Sequence, residues 1–377
     1  MVSVGAIKNK ACVCAHPRAR TRLNCGLQKD DFMCTRERYR IESKTWLHED
    51  GSKRFWIVDG RTEAEKADPK FFRVSRTPCG KCLECKLSDA KSMAFRCVKE
   101  AQQWENNIMI TLTYDDENVP RSKGVDPKTG EIYDSLTLPD HEEEIGKFMK
   151  RLRKKMGNGV RFYGCGEYGS DDEYVDSHGN VRKGTERPHY HIILFNCKFD
   201  DMKFDRWSRC EWNPKVKNAL YKSKILDKLW GKGHADLNEV NFETCRYVAG
   251  YVTKKYTGPH SDEYYEQKGQ KKPYTFGSRR PGIGYGYFEN NKEKFFEEKP
   301  LWAITRNGLK KVKSRYFDKL MEKEDPRRWE DIKHERKKKS DEQWEKILQE
   351  TDIDKHTYIE NQESKVETRN RLLKMRH

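Results

Sequence analysis

The chain has 377 residues, 37% charged and only 34% hydrophobic, with a mean hydropathy of −1.08. No apolar run approaches the length of a membrane span and the N-terminus has no signal-peptide core, so the composition argues against a membrane or secreted protein and predicts a cytoplasmic one. The net charge of +16 suggests a polyanionic partner, and 18 Tyr, 16 Phe and nine Trp make nucleic acid the simplest choice, because aromatic faces stack exposed bases between phosphate contacts.

In a reducing compartment the 12 Cys are metal ligands or buried thiols rather than disulfides. Residues 1–78 carry Cys12, Cys14, His16, Cys25 and Cys34 and are expected to be irregular, apart from a hairpin of Trp46-Leu47 and Arg54 to Val58 around Asp50-Gly51. Cys79, Cys82 and Cys85 form a CxxCxxC run that suits zinc, with Cys97 or an N-terminal cysteine as a fourth ligand. The bland alternative is a set of reduced thiols. A helix is expected over about 87–105.

Asn107 to Tyr114 is β-branched and aromatic and predicts a strand, ended by the turn residues Asp115 to Asn118. Residues 121–136 read as a polar loop. From about Asp140, the residues Ile145, Phe148, Met149, Leu152 and Met156 recur at helical spacing. The other face of that helix carries Lys147, Lys150, Arg151, Arg153, Lys154 and Lys155, a solvated face or a phosphate track. Val160 to Tyr168 predicts another strand, and a polar insertion from Gly169 to Glu186 follows.

Pro188 to Phe195 is the stretch that organises the rest. Strand alternation sends His189 and His191 to one face and Tyr190, Ile192 and Leu194 to the other. Two imidazoles one pleat apart can share a metal ion, although such pairs are also found as ordinary histidines. An antiparallel pairing with Val160 to Tyr168 would bring Glu167 beside them, making a mixed nitrogen and oxygen site suited to Mg²⁺ or Mn²⁺. Residues 213–230 read as a basic helix, and His234 to Val240 as a short edge strand.

Glu243 to Tyr256 predicts a second key element, a helix capped by Asn241 or Thr244. Tyr247 and Tyr251 lie one turn apart on one face, and Lys254 and Lys255 continue that stripe. Phenols have a pKa of about 10, so they need help to act as nucleophiles near neutrality. A neighbouring ammonium group and a metal-polarised phosphate both provide it.

These segments together resemble the HUH endonucleases that start rolling-circle replication. The motifs are Thr111-Leu-Thr113-Tyr114, Pro188-His189-Tyr190-His191 and Tyr247-Val-Ala-Gly-Tyr251-Val-Thr-Lys254-Lys255. Pro78 to Cys85, Cys165 to Gly169 and Arg279 to Gly284 are similar to segments of the gokushovirus branch of the microviruses, single-stranded DNA phages. The resemblance covers about 78–320. It implies an α+β fold, an antiparallel sheet with flanking helices in the ferredoxin-like style of these nucleases. It also implies Mg²⁺ or Mn²⁺ on His189, His191 and Glu167, nucleophiles at Tyr251 and Tyr247, and Lys254 in the YxxK position. Gly250 departs from the YxxKYxxK pattern of some relatives.

The expected organisation is a Cys-rich N-terminal region at 1–86, an endonuclease domain at 87–295 and a charged, helix-prone C-terminal tail at 296–377, loosely packed beyond about 325. The implied setting is the cytoplasm of a host bacterium, and the implied partners are single-stranded DNA at a phage origin and a host helicase and polymerase. Two rival readings stay open: a non-catalytic zinc-bearing nucleic-acid-binding protein, and another HUH enzyme such as a relaxase or transposase.

Overall fold

The computed structural model describes residues 38–49, 53–59, 61–80, 83–169, 173–175, 181–210, 213–254, 260–297, 302–305, 308–311 and 314–351, with scattered positions beyond. The cysteines at 12, 14, 25, 34 and 82, His16 and Lys255 lie outside them, as do the side chains of Tyr251 and Lys254.

The expected N-terminal hairpin forms from β1 (Arg38–Leu47) and β2 (Lys53–Asp59). The short helix α1 (Arg61–Glu65) leads to β3 (Phe72–Thr77), which pairs with the other edge of β1. Residues 38–77 are therefore largely strand, not irregular. Tyr39 and Ile41 turn inward between Arg38, Arg40 and Glu42, an alternation that the charged residues obscure in the sequence.

Next come α2 (Leu83–Ala101) and β4 (Asn107–Tyr114). The stretch expected as a loop is a hairpin of β5 (Arg121–Val125) and β6 (Ile132–Leu136). Its connection is closed by Gly130 N–H donating to Asp126 O at 2.8 Å, with Gly130 at φ 74°. Then follow α3 (His141–Met156), β7 (Arg161–Tyr168), the short β8 (Glu173–Val175) and β9 (Val181–Lys183), and β10 (Pro188–Phe195).

The following elements are β11 (Lys203–Cys210), β12 (Asn213–Lys222), α4 (Lys224–Trp230), β13 (Gly233–Glu239) and α5 (Phe242–Lys254). The basic stretch expected as one helix is thus half strand. Its Lys, Ala and Leu residues favour helix, but pairing with β11 along most of its length overrides that local preference. The loop-like region after α5 contains α6 (Ser261–Gln267), β14 (Tyr274–Gly277), α7 (Tyr285–Glu289) and α8 (Lys292–Phe296). The chain continues through β15 (Trp302–Thr305), β16 (Gly308–Lys311), α9 (Arg315–Glu324) and α10 (Pro326–Thr351).

Seven strands form one antiparallel sheet in the order β11-β12-β13-β4-β10-β7-β14. β13 is an interior strand, not the edge its short, polar sequence suggested. Period-two alternation gives the sheet two working faces. On one face Ile110, Leu112, Tyr190, Ile192, Leu194 and Leu237 pack against Ile145, Phe148, Met149 and Leu152 of α3 and Leu226 and Trp230 of α4. On the other, Met109, Tyr163, Ile193 and Phe195 meet Ala94 and Phe95 of α2 and Val248 and Ala249 of α5. The fold is therefore α+β, a large antiparallel sheet with helices on both faces.

The second core extends to Phe317 and Met321 of α9 and to Trp329 and Ile332 of α10. The first turns of α10 are thus anchored, where loose packing was expected beyond about 325. Apolar anchors are sparse there, but two of them find the main core.

Phe148 is completely buried between α3 and the sheet. Phe148→Ala is expected to cost about 3–5 kcal/mol, through lost burial and a residual cavity. Urea denaturation would show this as a lower midpoint at unchanged slope.

A candidate metal centre beside the tyrosine helix

The register of the central strands builds the site. β10 pairs on one side with β7, setting His189 opposite Glu167 and His191 opposite Cys165. On the other side it pairs with β4, setting His189 opposite Thr113 and His191 opposite Thr111. Directly opposed residues share a face, so Glu167 and both histidines emerge together. The insertion between β7 and β10 does not disturb this pairing, because Gly169 N–H donates to Arg187 O at 3.0 Å and closes the two strand ends.

Glu167 Oε1 lies 2.9 Å from His189 Nε2 and 3.3 Å from His191 Nε2. The carboxylate and both rings are mostly buried, with side-chain exposures of 8%, 16% and 6% for Glu167, His189 and His191. Among the described residues, these three are the His, Cys, Asp or Glu group whose ligand atoms converge, all within 4.8 Å of one another.

The far nitrogen of each ring is held from behind. His189 Nδ1 is 3.0 Å from the Arg187 carbonyl, and His191 Nδ1 is 3.0 Å from Thr111 Oγ1. A carbonyl only accepts, so the proton of His189 sits on Nδ1. A neutral His189 then presents its Nε2 lone pair to an ionised carboxylate. That contact is attractive only with positive charge between the two, either a proton on Nε2 or a metal ion. Imidazoles fixed at Nδ1 and turned through Nε2 onto a carboxylate are the donor set of a divalent metal site. The residues present therefore fit a divalent ion.

Burial alone would raise the Glu167 carboxyl, but hydrogen bonds and charge from the two imidazoles outweigh it and bring the group from 4.5 down to about 2. Arg187, which supplies the carbonyl, is pinned through its guanidinium to Tyr114 O at 3.0 Å and to the Asp116 carboxylate.

α5 brings the tyrosines. Its start is a reciprocal cap: Thr244 N–H donates to Asn241 Oδ1 at 2.9 Å, and Asn241 N–H donates to Thr244 Oγ1 at 2.8 Å. Cys245, Val248 and Ala249 are buried against the sheet and α2. That packing sets Tyr247 edge-on to His191, with ring centroids 5.0 Å apart and planes at 76°. Tyr251 and Lys254 follow on the same helix, Tyr251 one turn further along.

The cysteines divide differently from the sequence expectation. Cys79 and Cys85 are buried with sulfurs 3.5 Å apart, a thiol contact and not a bond. Cys97, expected as a further ligand, instead hydrogen-bonds Cys245 inside the contact of α2 with α5, and burial raises its thiol. Sequence reasoning gave no role to Thr111, and none to the Arg187 carbonyl. The signal for Thr111 was the polar residue at the centre of an apolar strand that pairs with the histidine strand.

With the geometry in view, the comparisons with known proteins are specific. A family described as replication-associated protein ORF2 matches residues 107–256, from the first residue of β4 to just past α5. The replication-associated protein ORF2 of Spiroplasma virus 4 is 30% identical over 261 residues, 67% of this chain and 69% of that protein. The chain belongs to this family of phage replication-associated proteins. Another relative, replication-associated protein VP4 of Bdellovibrio phage phiMH2K, is 28% identical over the same shares of the two chains. Replication-associated protein ORF4 of Chlamydia phage 1 is 28% identical over 251 residues, 65% of this chain and 53% of that protein. These relatives identify a microvirus-type replication initiator. No solved structure matches. Among the described residues, no helix is long and apolar enough to cross a membrane.

Two outcomes are expected. Thr111→Val keeps the shape but removes the hydrogen bond behind His191, so Mn²⁺ affinity falls about 10–100-fold in calorimetric titration. Ionised Glu167 favours the folded state above its ordinary value of 4.5, and that advantage disappears as the pH falls towards 2. In chelator, the gap in melting temperature between the native protein and Glu167→Gln therefore narrows as the pH is lowered from 6 to 3.

Proposed function

We propose that this chain nicks and rejoins single-stranded DNA at a phage replication origin, and that residues 87–295 carry the activity. The observation that supports this most is the approach of Tyr247 to His191 within a cluster built to hold a cation. The family membership adds the setting of phage replication.

In this reading a phenolic oxygen of Tyr251 or Tyr247 attacks the phosphorus of a phosphodiester. The bond from phosphorus to the 3′ oxygen breaks as the tyrosyl bond forms. The phenol loses its proton and the 3′ oxygen gains one, leaving a 5′-phosphotyrosine and a free 3′-hydroxyl. Bound Mg²⁺ or Mn²⁺ would polarise the scissile phosphate. Glu167, His189 and His191 hold that position, with the Arg187 carbonyl and Thr111 keeping both rings in place. Lys254 and Lys255 lie three and four residues beyond Tyr251, where an ammonium group favours the phenolate.

The second tyrosine repeats the step after one round of synthesis, and attack by the released 3′-hydroxyl on the first tyrosyl ester closes the circle. Each step exchanges one phosphoester for another, so joining needs no ATP. Extension of the 3′-hydroxyl and unwinding fall to a host polymerase and helicase.

The test is a covalent adduct. With labelled single-stranded DNA from the cognate genome and Mn²⁺, the protein should form an adduct that survives denaturation and that Tyr247→Phe with Tyr251→Phe abolishes. Retained DNA with no covalent product from the native protein would instead favour a non-catalytic binding protein.

A further inference from the structure

The hairpin of β11 and β12 lies at the far end of the main sheet and has no part in the chemistry above. Among the described residues, β12 pairs with β13 through Tyr221 and Leu237 alone, so the hairpin runs outward from the sheet as a two-stranded arm.

A register shift between Phe204 and Arg206 leaves Asp205 as an extra residue in β11. In an unbroken strand, residues three apart face opposite ways. The bulge cancels that and puts Phe204 and Trp207 on one face, with ring centroids 5.5 Å apart. Tyr221, opposite Phe204, completes the group at 6.1 Å. Phe204 is 53% exposed and Trp207 61%. Two large rings are thus held side by side in solvent.

The charges of the arm say what covers these rings. From 203 to 222 the chain has six basic residues, Lys203, Arg206, Arg209, Lys215, Lys217 and Lys222, against the acids Asp205 and Glu211. The register sets Lys203 opposite Lys222 and Arg209 opposite Lys217. Like charges directly across a ladder are destabilising. Asp236 offsets the first pair by holding Lys222 at 2.9 Å, and it also holds Arg206 at 3.1 Å. An apolar protein partner would aggravate such a charge surplus, whereas a polyanion relieves it. Exposed rings among cations are suited to unpaired bases, whose faces are free to stack.

The arm is also tied to the candidate site. His191, Thr111 and Asp236 are successive cross-strand neighbours on one face of the sheet, and Asp236 grips the base of the arm. At about 4.8 Å per strand, the row from His191 to β12 spans roughly 14 Å, a few nucleotides of extended strand.

We propose that the β11–β12 arm is a second DNA-binding element that stacks unpaired bases of the strand on Phe204 and Trp207, away from the tyrosines and the metal cluster. It rests on the reading of the protein as one that acts on single-stranded DNA. The test uses the full chain and a fluorescein-labelled oligonucleotide of mixed sequence, alone or annealed to its complement, followed by anisotropy at fixed salt.

The double variant Phe204→Ala, Trp207→Ala should bind the single strand about ten-fold or more weakly, with a smaller change on the duplex. Its melting temperature and Mn²⁺ affinity should be those of the native protein. Trp207→Phe, which keeps a ring, should bind as the native protein does.

Unchanged single-strand affinity in the alanine variant overturns the assignment. So does an equal loss on duplex, equal weakening in Trp207→Phe, or loss of self-association in light scattering with single-strand affinity intact. The covalent adduct scores the nicking reading separately. Arm-dependent binding without adduct sinks that reading and leaves this one, and adduct formation with arm-independent binding does the reverse.

Discussion

A carboxylate and two imidazole nitrogens converge in a buried space, and positive charge must lie among them. That requirement governs the centre of the molecule. Glu167 stays ionised although burial opposes it, and the only compensation within reach is the two rings or a cation that they share. The hydrogen bonds behind the rings, from Arg187 and Thr111, fix which nitrogens face the carboxylate. Without them the rings could turn away, and the cluster would be three polar residues in a poor environment.

The sheet supplies the placement. One alternation sends Ile192 and Leu194 into the core under α3 and α4, and His189 and His191 to the opposite face. On that same face the apolar residues lower down, Met109, Ile193 and Phe195, seat α5. The helix that carries Tyr247 is therefore mounted on the same strands that carry the histidines. Packing energy of the core and position of the phenol are not separable: Val248 and Ala249 are buried because Tyr247 faces His191, and the converse.

Much of this was legible in the residues. Strong local patterns read correctly: β4, α3 and β10 are bounded within a residue or two of where apolar spacing put them, and α5 begins at the cap that Asn241 and Thr244 announced. Glu167 was placed beside the histidines by assuming an antiparallel pair, and the register bears that out. What sequence hid was set by distant partners. β12 has helix-favouring residues and becomes a strand because β11 is there to pair with it. β13 looked like an edge because its neighbours are far away in the chain, β4 and β12. Cys97 sat near the other cysteines in sequence, but its position on α2 points it to Cys245 on α5. The role of Thr111 depends on a cross-strand partner 80 residues away.

The histidine strand is bonded along both its edges, to β4 and to β7, through its full length. A strand gripped on two sides cannot shift without breaking two ladders, so its ligands have little slack. A cation placed there meets a cage of nearly fixed radius. Calcium, which prefers six to eight oxygens at about 2.3–2.6 Å, would have to spread that cage. A smaller ion, content with two nitrogens, one carboxylate oxygen and the oxygens of a substrate, would not. Stiffness in the backbone thus becomes selectivity by ionic size.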